Sequence, residues 1–320
     1  MTNLANFIGA LPGAISQGLI WGIMAIGVYI TYRILDIADL TVDGSFCTGG
    51  VAFVVLFSGG MNLWLALALA FLVGTLTGFA TGLLHTLCGI PAILAGILTQ
   101  LGLWSVNLAI MSMKANVSIN VIDKASLNRL LVSLRFVQDV AKGERPVWQH
   151  PIFVVGLFTI VIIAVLYWFF GTELGCSLRA TGSNPNMARA QGINTDFNKV
   201  LGLMISNGLV AVSGALLAQY QSYGDINMGR GAIVIGLAAV IIGEVVFSRI
   251  FHNFALKLLA VSFGSIIYYV VIQAVLSFTE INSNYLKLIS AGIVALFLSV
   301  PYWKDKYFSK PVKRGGTQNA

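Results

Sequence analysis

The 320-residue chain is 57% apolar, only 10% charged, and carries a net charge of +7. Charge this sparse cannot cover a soluble domain, and several runs reach the roughly 20 apolar residues that cross a bilayer, so the composition specifies a polytopic membrane protein. The positive balance is accounted for by loops and a basic tail on the cytoplasmic side rather than by nucleic acid, and Cys47, Cys88 and Cys176 are scattered and match no metal or redox spacing.

Leu11 to Tyr32 forms the first predicted span, with Arg33 marking its cytoplasmic end. No Lys or Arg precedes Arg33, so this block lacks the basic leader of a secretory signal and is expected to be retained, with the N-terminus outside. Asp36, Asp39 and Asp43 then crowd before Val51 to Phe57, an apolar run too short to cross alone. Two readings stand: a broken, Gly-rich helix that starts near Asp39 and places Asp43 and Ser45 at membrane depth, or a helix that starts after an interfacial Asp43. Leu63 to Leu84 returns to the inside, His85 to Pro91 turns, and Ala92 to Met113 crosses out again carrying Gln100 and Asn107, suited to interhelical hydrogen bonds or to a solute.

Lys114 to His150 is a long outer segment in which Leu127, Leu130, Leu131 and Leu134 recur at helical spacing, predicting an amphipathic surface helix. Its basic residues run against the charge rule for outer loops. Pro151 to Phe170 crosses in, Val200 to Tyr220 crosses out, and Asp225 to Phe247 crosses in with Arg230 at its outer end and Glu244 in its inner part. Phe254 to Phe278 and Tyr285 to Tyr302 make the last pair, before a tail holding Lys304, Lys306, Lys310, Lys313 and Arg314. About nine crossings are expected from length and charge.

Between two apolar blocks lies a polar break, Gly171 to Lys199, whose Arg179, Arg189 and Lys199 place it inside. Asn184 reads as an N-cap, Pro185 as the first helical residue and Gly192 as the left-handed residue past the end, which predicts a helix over Pro185 to Gln191. Two turns do not persist alone in water, so a helix here needs something to dock against.

Asp39-Leu-Thr-Val-Asp-Gly and Asp225-Ile-Asn-Met-Gly-Arg-Gly share a pattern, and the spans before them cross in opposite directions. That is the signature of an inverted repeat whose discontinuous helices meet near the midplane, and it selects Asp43, Ser45, Asn227 and Arg230 as candidate pathway residues. The sequence contains no phosphate-binding loop, no zinc-protease motif and no nucleophile elbow, so catalytic and metal sites are expected to be absent. Any energy for transport then comes from an ion gradient or from another subunit.

Arg-Ala-Thr-Gly-Ser-Asn-Pro-Asn-Met-Ala-Arg-Ala-Gln-Gly-Ile-Asn from Arg179 to Asn194, followed by Ser-Gly-Ala-Leu-Leu-Ala from Ser213 to Ala218, resembles the permease subunits of bacterial ABC importers for branched-chain amino acids, ribose and nucleosides. Asp39 to Phe46, Asp-Leu-Thr-Val-Asp-Gly-Ser-Phe, is similar to the permeases paired with tryptophan/tyrosine-type binding lipoproteins. The resemblance covers most of the chain and implies a type II-like all-α permease fold. It implies that Asn184, Pro185, Asn186, Met187, Ala188, Arg189, Ala190, Gln191 and Gly192 form the coupling helix seated in a separate ATPase subunit. That subunit would bind ATP and Mg; no cofactor is expected on this chain. The other implied partners are a second permease copy, expected as a homodimer, an extracytoplasmic binding lipoprotein and the lipid bilayer.

The resulting expectation is one permease domain over residues 1–303, containing the coupling loop 171–199 and the outer segment 114–150, with a basic cytoplasmic tail over 304–320. The protein would reside in a bacterial cytoplasmic membrane and pass a small organic solute, an amino acid and in particular an aromatic one. The helix near Leu127 to Leu134 would help dock the binding protein. The alternatives are a secondary transporter using Asp43 and Glu244 as ion carriers, or a scaffold that moves no solute.

Overall fold

In the computed structural model the described residues are 2–119, 150–247, 250, 251, 253–278, 288–297 and 299. They form helices α1 (Thr2–Tyr29), α2 (Val42–Ser58), α3 (Leu63–Thr86), α4 (Ala92–Ile110), α5 (Pro151–Gly171), α6 (Glu173–Ser183), α7 (Pro185–Ala190), α8 (Thr195–Gln221), α9 (Ala232–Phe247), α10 (Phe254–Phe278) and α11 (Leu288–Phe297). Two short strands, β1 (Asn116–Ser118) and β2 (Tyr223–Asp225), pair antiparallel. Six helices are long and apolar enough to cross a membrane, and α2, α9 and α11 are shorter apolar helices. The predicted surface helix over Leu127 to Leu134 and the basic tail lie outside the described residues.

The two short strands are a local addition to an all-α architecture. They form because the peptide after α4 and the peptide after α8 lie side by side, with Asn116 opposite Asp225. The strand also shortens the span expected from Asp225: its helix begins only at Ala232, after a turn through 226–231.

The long helices pair across the two halves of the chain. α3 lies along α8, whereas α10 lies along α1, and α1 and α8 touch at the centre. Small residues permit both pairings. Added Cβ atoms at Gly74 and Gly78 would run into the backbone of Asn207 and Leu203 on α8, and one at Gly18 into the backbone of Ile266 on α10. Such stripes let helix backbones approach closely where lipid supplies no hydrophobic drive to associate. Gly49 and Gly214 do the same between α2 and α8, against Ala211 and Phe46.

α1 ends in a π-turn over Ile30–Ile34, closed by the Leu35 N–H donating to the Ile30 carbonyl at 3.0 Å. Asp36 then takes a left-handed conformation (φ 55°) that aborts the helix and turns the chain back among the spans. A second ending of this kind follows α8, where Ser222 is left-handed at φ 65°.

Candidate functional site

The two helix breaks come together. Before α2, Asp39 Oδ1 accepts the Thr41 N–H at 2.9 Å, capping the helix, while Asp39 Oδ2 accepts from Asn207 Nδ2 on α8 at 2.7 Å. The amide oxygen of Asn207 accepts the Ser45 hydroxyl at 2.6 Å, and Ser45 also meets Thr77 Oγ1 at 2.7 Å. Thr41, Thr81 and Thr99 continue the chain of hydroxyls into α3 and α4, at 2.7 and 2.9 Å. All of these side chains are buried. Polar groups held in an apolar interior cost free energy unless they are paired, and here each has found a partner.

Of the two readings of the Asp43 segment, the helical one describes the chain: α2 begins at Val42, so Asp43 stands in its first turn. Its carboxylate accepts the N–H of Gly231 at 2.9 Å and of Ile233 at 2.9 Å, and so caps α9 across the two halves. A carboxylate at a helix N-terminus satisfies orphan donors and meets the positive end of the helix dipole. Eleven residues of α9 separate Ile233 from Glu244, about 17 Å along the helix, and Glu244 pairs with Arg33 Nε at 3.0 Å at the far end.

Beside this cap is a cavity of about 250 Å³ whose lining includes Asp43, Cys47, Gln100, Trp104, Asn107 and Arg230. Asp43 and Arg230 of the four candidate pathway residues thus meet. Ser45 does not join them: it is fully buried between Thr77 and Asn207 and its hydroxyl is committed to both. Asn227 lines a separate cavity of about 370 Å³ with Gln17, Trp21, Gln221 and Tyr269, and its N–H is taken by Asp225 Oδ1 at 2.7 Å. Asp39 and Asn207, which tie the break before α2 together, are not among the residues selected from the sequence. An Asn in the middle of the Gly-rich span after the polar break was the available signal.

The polar break is helical through most of its length. Thr172 Oγ1 caps α6 by accepting the Gly175 N–H at 3.4 Å, and α6 packs with Gly182 against the backbone of Ile34 in the π-turn. Asn184 Oδ1 accepts the Met187 N–H at 3.0 Å, Pro185 is the first residue of α7, and Gly192 is left-handed at φ 81°. The helix ends at Ala190, so Gln191 is its C-cap rather than its last residue. Ala188 is buried, Met187 is 62% exposed, and Arg189 donates to Thr195 Oγ1 and Asp196 Oδ1 at the start of α8. Asn186, Ala190, Gln191 and Gly192 are exposed. α7 is thus fixed to the molecule on one side and bare on the other.

A family model described as "branched-chain amino acid transport system / permease component" matches residues 11–298. The chain is 37% identical to the tyrosine transport system permease protein of Clostridioides difficile, over 91% of each chain. It is 36% identical to an uncharacterised protein of Rickettsia prowazekii over 90% of this chain and 95% of that one. Similarity to the autoinducer 2 import system permease protein LsrC of Salmonella typhimurium is 23% identity, over 74% of this chain and 63% of the relative. No solved structure matches.

Proposed function

The chain belongs to the family of branched-chain amino acid transport system permease components, and we propose that it is the channel-forming subunit of an ATP-driven importer of an aromatic amino acid. The tyrosine permease of C. difficile, similar along nearly the whole length, supports the solute class. The end of the molecule that carries Arg33, Arg179, Arg189, Lys199 and Lys257 is then the cytoplasmic one, in a bacterial cytoplasmic membrane with the N-terminus outside. α7 is the contact for a separate ATPase, which holds the ATP and Mg. A second copy of the chain completes the pathway, and a binding lipoprotein delivers the solute from outside.

One observation carries this reading: the loop that bears α7 is braced, through α6 and Gly182, on the π-turn directly upstream of the break at Asp39. A push on the bare side of α7 therefore reaches Ile34 and Leu35, and from there the N-terminus of α2, through packed backbone rather than flexible side chains. Single π-turns in helices are frequent at functional sites. The Arg33–Glu244 pair adds a link from the same turn to the end of α9, so both broken helices sense one input. Rocking of packed elements against each other is the ordinary way in which such a push opens a site on the opposite face.

The test is purification of the tagged protein from native membranes, followed by reconstitution with whatever ATPase accompanies it. ATP-dependent uptake of tyrosine that persists with uncouplers is expected, together with loss of the ATPase when residues 185–191 become a Gly/Ser linker. Uptake by this chain alone, abolished by uncouplers, would overturn the reading in favour of an ion-coupled carrier.

A further inference from the structure

The cavity beside the Asp43 cap contains more recognition chemistry than packing requires. Arg230 lines it and makes no ion pair among the described residues. Asn107 lines it too, is only 1% exposed, and leaves its Oδ1 without a hydrogen-bond partner. A buried acceptor without a donor is costly and rare in a folded protein, and a ligand that brings a donor would satisfy it. Asp43 lines it as well, with both of its oxygens accepting backbone N–H groups. Trp104 and Leu101 add an aromatic and an apolar side chain to the lining.

We propose that this cleft between α2, α4 and the 226–230 turn is a transit site for a zwitterionic aromatic amino acid. Arg230 takes the carboxylate, Asn107 Oδ1 accepts from the ammonium group with the Asp43 carboxyl close by, and Trp104 faces the ring. Arginine suits the first task because its planar fork matches a carboxylate and stays charged. A small cavity that combines a few polar groups with apolar and aromatic side chains has the usual anatomy of a small-molecule site. The larger cavity around Asn227 offers Asp225, Gln17 and Gln221 but no cation among its lining, and so lacks the carboxylate's partner. The assignment rests on the permease reading above and adds to it the residues that would hold the solute in the membrane.

The experiment uses the assembled transporter, with Leu101→Cys as a reporter at the cavity mouth and the exposed Cys88 and Cys176 replaced by Ser. Tyrosine should protect the introduced thiol from a thiol-reactive maleimide, read by mass spectrometry of the labelled peptide. Tyramine, which lacks the carboxylate, should require about tenfold more for equal protection. Arg230→Gln should erase that difference, weakening tyrosine about tenfold while leaving tyramine unchanged, and Arg230→Lys should recover part of it. A variant that merely distorted the fold would weaken both ligands alike, and that result would overturn the assignment. So would absence of protection in a transporter that takes up tyrosine. A transporter that takes up no aromatic amino acid at all overturns the underlying reading instead.

Discussion

The two breaks differ in how they are finished. The break before α2 is sealed: Asp39, Thr41, Ser45, Thr77, Thr81, Thr99 and Asn207 are buried and each has a partner within 3 Å. The break before α9 is open: its cap comes from the other half of the chain, and it adjoins a cavity lined by Arg230, which makes no ion pair among the described residues, and by Asn107, whose Oδ1 lacks a hydrogen-bond partner. The same device, a carboxylate at a helix N-terminus inside the membrane, serves in one case to lock an element and in the other to leave polar groups available. Burial alone therefore does not mark a solute site. Incomplete pairing next to a cavity does.

The contrast can be broken most severely at its sealed side. Asn207→Leu removes one of the two partners of Asp39 and one of the two partners of Ser45 together, and a buried Asp39 oxygen left without a donor should cost about 3 kcal/mol. The protein should fail to survive solubilisation, read as loss of the monodisperse peak in detergent. Asp43→Ala leaves the N–H groups of Gly231 and Ile233 without an acceptor and should cost about 2 kcal/mol, read as a lowered melting temperature, with transport lost. Asp43→Asn, which keeps one acceptor oxygen, should lie between that variant and the parent.

On the open side the expected signs separate stability from function. Arg230→Gln should move stability by less than about 0.5 kcal/mol but reduce uptake strongly. Met187→Asp, at the bare face of α7, should leave folding and solute binding intact and block ATP-driven uptake, because an unpaired charge would enter the ATPase contact. Uptake at the parental rate in either variant would contradict the role given to it.

The smallest effect tests a cap that lies outside the spans. His150 Nδ1 accepts the Ile152 N–H at 3.1 Å, which requires the neutral ring, and burial lowers the imidazole pKa. A group that prefers to be neutral in the folded state contributes stability above its unfolded pKa of about 6.5. That contribution should fade as the pH falls from there through the lower folded value. His150→Ala should flatten this dependence in a melting series from about pH 8 to pH 5.

What can be read from the residues is local. The caps of α7 are three nearby signals, Asn184, Pro185 and Gly192, and the bounds of α10 follow from a long, mostly apolar run. α6 reads as part of a polar break because two glycines and several small polar residues give it little helical propensity. Its stability comes from contacts distant in sequence, Leu178 among the buried apolar residues and Asn198 Nδ2 donating to Thr181 at 2.9 Å. The start of α9 falls later than the sequence suggests for the same reason, since the strand that ends the preceding loop pairs with residues 116–118. Asp43 and Arg230 stand out as charges in apolar surroundings. Ser45 stands out equally, and only Asn207, far along the chain, decides that it is sealed in.

The cross-half packing of α3 on α8 and α10 on α1 also sets an order of events during synthesis. The glycine stripe of α3 meets Asn207 and Leu203, which leave the ribosome more than a hundred residues later, a delay on the order of ten seconds at typical elongation rates. For that interval the first four helices sit in the bilayer without their partners, and Asp39 has no Asn207 to donate to it. The nascent first half must therefore be shielded, by the insertion machinery or by lipid, until the fifth long span arrives. Truncated chains ending before α8 should be prime targets for membrane proteases.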